Sequence, residues 1–154
     1  MKRAAALVAA LSLALAACSR KPPDATPEGA VREIVERLQL VRGEPRDARA
    51  AFELLSKRAQ ANLAARAQRY SAASGKPIGP EAMIAPARFA LRFEPQRYAA
   101  QISGVYALVD VAGPMPEDHA KVPCVFEEHG WRVDVTLPPL PPVQMRPGAS
   151  PASP

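Results

Sequence analysis

The spacing of apolar positions along this chain changes once, near Pro86, and that change predicts its architecture. Upstream, Val31, Ile34, Val35, Leu38 and Val41 recur three and four residues apart, with Arg32, Glu33, Glu36 and Arg37 filling the opposite side. This is the period of a helix with one buried stripe. Thr26-Pro27-Glu28 supplies its start: a hydroxyl to accept a free backbone N–H, a proline where its missing N–H costs nothing, and an acid in the first turn. Gly43 stops the run. A second helix is predicted over Pro45 to Leu55, with Ala48, Ala51, Phe52 and Leu55 inward. Ser56 then caps a third, from Lys57 to about Ala73, with a narrow buried stripe of Leu63, Ala67 and Tyr70. Ser74-Gly75-Lys76-Pro77 ends it, and Pro80 to Met83 gives a further short turn.

Downstream of Pro86 the period falls to two. Phe89, Leu91 and Phe93 alternate with Arg88, Arg92 and Glu94, the pattern of a half-buried strand. Arg97 to Ile102 and Val105 to Val111 flank a tight turn at Ser103-Gly104, and Lys121 to Glu127 and Trp131 to Leu137 flank Glu128-His129-Gly130. Helices first and an antiparallel meander afterwards predict an α+β fold: N-terminal helices packed on a curved antiparallel sheet of about four or five strands.

The amino-terminal end has a separate logic. Lys2 and Arg3 precede about a dozen apolar residues, Ala4 to Leu15, which fall short of the roughly 20 a membrane-crossing helix needs. The run closes on Leu15-Ala16-Ala17-Cys18, which resembles the lipobox of bacterial lipoproteins; an ordinary secretory cleavage site is the alternative, since Ala14, Ala16 and Ala17 are all small. The lipoprotein resemblance implies that residues 1–17 are removed, that the Cys18 thiol carries a diacylglycerol and its new amino group a further acyl chain, and that the membrane is the chain's first partner. Ser19 rather than aspartate follows the cysteine, which in that family implies an outer-membrane location facing the periplasm rather than retention in the inner membrane. Residues 18–25, polar and containing Pro22 and Pro23, read as an extended tether holding the domain roughly 20 Å from the lipid at about 3 Å per residue. Residues 26–137 form the single domain. From 138 onward the prolines of Leu137-Pro138-Pro139-Leu140-Pro141-Pro142 and the Gly/Ala/Ser/Pro end predict a polyproline, then disordered, tail.

Charge and cysteine count narrow the function. Removal of Lys2 and Arg3 lowers the 20 basic residues to 18 against 15 acidic, a net charge of +3, and the basic residues are interleaved with acids without a groove-reading motif. Nucleic acid is not an expected partner. With Cys18 acylated, Cys124 is the last thiol, in the alternation Val122, Cys124, Phe126 that predicts a small buried hydrophobe. His119, beside Glu117 and Asp118, and His129 fall in predicted loops, where neighbours in sequence seldom converge on a metal, so neither a metal nor a cofactor is expected. There is no nucleophile elbow, zinc-protease helix, phosphate-cradling glycine loop or paired-cysteine motif. Arg88, Arg92 and Arg97 form one basic grouping, read as the wet side of a strand, and Trp131 reads as a core or rim anchor.

Helices followed by strands that close on Gly130-Trp131-Arg132-Val133-Asp134-Val135 resemble the cone-shaped nuclear-transport-factor-2-like superfamily, over roughly Thr26 to Leu137. The resemblance implies a hollow between the sheet and the long helix, used by relatives as an enzyme pocket, a ligand cup or a packed core. Its enzymes place acids, histidines or tyrosines on inward strand positions; the weak candidates here are Tyr98, Tyr106, Asp110 and His119, with Asp110 in the same alternation as Tyr106 and Leu108. Anchor and site-poor domain together lead to the expectation of a lipid-anchored, non-enzymatic envelope domain that binds an envelope protein or a small apolar ligand, or gives structural support. The alternative is a small enzyme using the cone as its pocket.

Overall fold

Three helices and a four-stranded antiparallel sheet make up the secondary structure of the residues that the computed structural model describes, 21–40, 45–85, 90–140 and 142. The fold is therefore α+β. Cys18, the leader and most of the proline-rich tail lie outside the described residues, as do Val41, Gly43, Arg88 and Phe89.

Helix α1, Pro27–Leu40, buries Ala30, Val31, Ile34, Val35 and Leu38, the stripe its period predicts. Thr26 caps it, its Oγ1 accepting from Gly29 N–H at 3.0 Å. Ahead of it Pro23–Ala25 forms a 3-10 turn rather than extended tether. Gly29 is where this turn approaches α1, because a β-carbon there would run into the Pro23 carbonyl. Helix α2, Pro45–Glu53, ends two residues before the predicted boundary and buries Ala48 and Ala51. Helix α3, Lys57–Ser74, starts on the predicted cap: Ser56 Oγ accepts from Ala59 N–H at 3.2 Å. Gly75 closes it at φ 68°, a left-handed conformation that costs a glycine little. Tyr70 is 55% exposed, so the buried stripe of α3 is Ala59, Leu63 and Ala67, without the tyrosine. A second 3-10 turn, Pro80–Met83, packs against α3.

The strands are β1 Arg97–Ser103, β2 Tyr106–Ala112, β3 His119–Glu127 and β4 Gly130–Val133, in sequence order across the sheet. Ser103 pairs with Tyr106, so the first turn is Gly104-Val105, one residue beyond the prediction. A positive φ of 60° at Gly104, the first central position, is what a two-residue hairpin needs there to match the strand twist. The predicted strand through Leu91 and Phe93 does not form. Both side chains pack half-buried against the core while Arg92 and Glu94 face water, so burial alternates without a ladder. Pro95, which has no N–H to donate, stands between this segment and β1.

β4 is also shorter than predicted, and Pro123 is the reason. Asp134 donates its N–H to the Pro123 carbonyl at 2.8 Å, but proline has no N–H to return, and β4 ends at Val133. The other edge of β4 is occupied. Val133 N–H donates to Leu54 O at 2.8 Å and Ser56 N–H to Val133 O at 2.9 Å, so the α2–α3 connection forms an isolated parallel bridge. Helix α1 covers the inner face of the sheet, against Val109, Val111, Cys124 and Val133, each no more than 2% exposed.

Candidate functional site

Between α1 and the inner face of the sheet lies a cavity of about 330 Å³. Val31, Ile34, Val35 and Leu38 line it from α1, and Leu91, Val122, Val133 and Val135 from the opposite side. Beyond Val133 the β3 and β4 segments no longer exchange bonds in both directions, Asp134 N–H donating to Pro123 O without return. Lys121, Pro123, Asp134 and Thr136 complete the lining, three of them polar residues. An apolar recess with a few polar residues in its lining is the usual build of a small-molecule site.

Asp134 is held in place. Ser56 Oγ donates to its Oδ1 at 2.6 Å, Arg58 Nη2 to its Oδ2 at 2.9 Å and Arg58 Nε to its Oδ1 at 3.2 Å. Ser56 thus caps α3 and fixes the acid that follows β4. A carboxylate with this many donors is a fixed negative post, a role set by contacts 76 and 78 residues apart in sequence.

The sequence candidates lie elsewhere. In β2 the inward residues are Ala107, Val109 and Val111, so Tyr106, Leu108 and Asp110 sit on the outer face, the reverse of the inward placement the alternation allowed for Asp110. Small and β-branched side chains fit under the helix, and the larger alternation is turned to solvent. His119 opens β3 rather than lying in a loop, and its Nδ1 is 3.2 Å from Asp110 Oδ1, both side chains more than 40% exposed. This pair stands on the face opposite the cavity. Tyr98 is on the inner face of β1, half-buried, with the Arg32 guanidinium 5.0 Å from its ring centre; burial raises its phenol pKa, partly opposed by that cation. It borders a separate, more polar recess with Arg32, Glu36 and Glu94. The structure therefore does not bring Tyr98, Tyr106 and Asp110 together.

Cys124 is buried, as its alternation predicts, and burial pushes its thiol up to about 12. Trp131 is buried edge-on to Phe126, ring centres 5.4 Å apart. Arg92 and Arg97 are both exposed. Among the described residues no three His, Cys, Asp or Glu side chains converge on a common point, and no helix is long and apolar enough to cross a membrane. A larger groove, about 490 Å³, runs between α3 and the Leu137–Leu140 segment, where Arg66 Nη2 donates to Pro138 O at 2.5 Å. Its walls carry Arg66, Arg69 and exposed Tyr70, so it is a mixed surface furrow rather than an apolar chamber.

Sequence reasoning missed Lys121, Pro123, Asp134 and Thr136 as parts of a site. Pro123 inside an otherwise regular strand pattern was the signal available. No protein-family model, no curated protein and no solved structure matches the chain significantly.

Proposed function

We propose that this chain is a lipid-anchored domain of the bacterial envelope, an outer-membrane lipoprotein facing the periplasm, that holds a small apolar ligand in a cone-like hollow between α1 and the sheet. The cavity carries this reading: eight aliphatic side chains from both layers, with Lys121, Asp134 and Thr136 the polar residues of the lining. The lipobox-like Leu15-Ala16-Ala17-Cys18 supports the anchor, and the order of helices and strands supports the likeness to nuclear-transport-factor-2-like domains. The role is binding rather than catalysis. Asp134, the acid among the lining residues, has its carboxylate engaged by Ser56 and Arg58, and the Asp110–His119 pair stands on the opposite face.

Binding is tested with the fluorescent apolar probe N-phenyl-1-naphthylamine and the purified full chain. Saturable enhancement is expected. Val122→Trp, which fills the cavity from a half-buried strand position, should abolish it while the circular dichroism spectrum is kept. Equal enhancement by wild type and a folded Val122→Trp protein would overturn the assignment. The anchor is tested separately: Cys18→Ala should leave an uncleaved or soluble chain, and a mature wild-type protein without acyl mass would refute lipidation.

A further inference from the structure

Both hairpin tips of the sheet, Gly104-Val105 and Glu128-His129, lie at one end, because the meander turns there after β1 and again after β3. Four large apolar side chains cluster at this end and face water: Ile102 at 59% exposed, Val105 at 52%, Tyr106 at 65% and Phe126 at 41%. They occupy the rungs at the tips, from both faces of the sheet: Ile102 pairs with inward Ala107, Ser103 with outward Tyr106, and Phe126, opposite Trp131, donates its N–H to Val105 O at 2.7 Å. Of the other exposed large apolar side chains among the described residues, Leu40, Tyr70 and Met115 stand apart on other elements and Leu108, 37% exposed, lies further along β2.

The chain enters the domain at the same end. Glu28, in the first turn of α1, accepts from Ala100 N–H at 3.1 Å, and Arg32, one turn further on, reaches Tyr98, so α1 runs away from the tips as the chain proceeds. The Pro23–Ala25 turn is pinned there, Asp24 Oδ2 accepting from Arg132 Nη1 at 2.6 Å, on the rung that pairs with Val125. The tether is thus shortened from the predicted 18–25. Four peptide units separate Cys18 from Pro22, a reach of at most ~14 Å at ~3.6 Å per residue. The carboxylates beside the tips are engaged: Glu128 is ion-paired with Lys57 at 2.7 Å and Asp24 with Arg132, and Glu127 accepts from the Lys57 backbone N–H at 2.9 Å.

We infer that the domain does not stand clear of its membrane but rests its hairpin-tip end on the phospholipid leaflet that carries the anchor, with Ile102, Val105, Tyr106 and Phe126 in the headgroup and upper acyl region. The inference rests on the lipoprotein reading of Cys18. Aliphatic and aromatic side chains at a protein end favour that boundary, and the short tether keeps them at high local concentration beside it.

The test uses the full lipoprotein in vesicles of phosphatidylethanolamine and phosphatidylglycerol, its acyl mass determined first by mass spectrometry. An environment-sensitive nitrobenzoxadiazole label is placed at Val105→Cys, or at Met115→Cys in the loop at the far end; buried Cys124, its thiol pushed up to about 12, does not compete. Quenching by lipids with a nitroxide near the headgroup is expected to be about twofold or more greater at 105 than at 115. As a label-free check, amides of 102–106 should exchange hydrogen about tenfold more slowly on vesicles than in detergent-free solution, and Ile102→Glu with Val105→Glu should remove that protection. Acylated protein with equal, weak quenching at both sites and no protection overturns the docking and leaves the anchor standing. A mature chain without acyl mass overturns both.

Discussion

The two edges of the sheet are protected by different means. At β4 the edge is closed by backbone: Leu54 and Ser56 exchange bonds with Val133, and the Asp24–Arg132 ion pair clamps the 3-10 turn beside them. At β1 a side chain does the work, Glu28 accepting from Ala100 N–H, while Arg32 lies over Tyr98. The β4 closure comes from residues 78 positions away and buries Leu54, Leu55 and Ser56. The β1 closure is a single carboxylate at a partly exposed edge, a way to deter edge-to-edge pairing without adding to the core. One edge is part of the fold's foundation and the other is guarded.

If that contrast is right, Leu55→Ala should have the largest effect. Leu55 is 1% exposed and bridged to Val133, so a loss of about 2–5 kcal/mol is expected by chemical denaturation. A cost near that of a surface substitution would show that the bridge is incidental. Next comes an alkaline limb. Cys124, the register partner of Val133, has its folded-state thiol pushed from 9.0 to about 12. Below pH about 9 the thiol is neutral in both states and its contribution is intact; between about 9 and 12 the unfolded thiol ionises and the folded one does not, so stability falls as pH rises. Denaturation midpoints of wild type and Cys124→Ala should converge across that window, and parallel curves would contradict a buried neutral thiol.

Ser56→Ala removes a cap and a partner of Asp134 together, and about 1–3 kcal/mol should be lost. Glu28→Ala, on the guarded edge, should cost only about 0.5–1.5 kcal/mol, with more self-association at high concentration in sedimentation velocity. A cost exceeding that of Leu55→Ala would invert the comparison. Smallest is His119→Gln, which breaks an exposed contact with Asp110 and should change stability by less than about 0.5 kcal/mol.

What could be read from the sequence follows the locality of the signals. Thr26-Pro27 and Ser56 announce helix starts through bonds to residues three positions on, and both caps are present. The α1 stripe is local in the same sense. Strand facing in β2 was not decidable this way. Tyr106, Leu108 and Asp110 on one parity and Ala107, Val109 and Val111 on the other are both apolar enough to be buried, and the choice falls to what fits beneath α1 beside Cys124. Leu91 and Phe93 show that alternating burial alone does not make a strand when no neighbouring edge accepts its bonds. The cavity was hidden for a related reason, since its walls are drawn from α1, the segment before β1, β3 and the residues after β4. Residues 1–20, with Cys18, lie outside the described residues.

Pro123 has a kinetic consequence. Because Pro123 cannot return the bond it accepts from Asp134, the ladder stops at Val133 and leaves the aliphatic recess open in the ground state. If the proposed apolar ligand binds there, its exchange should proceed without a preceding conformational step, with an association rate linear in ligand concentration and indifferent to ionic strength.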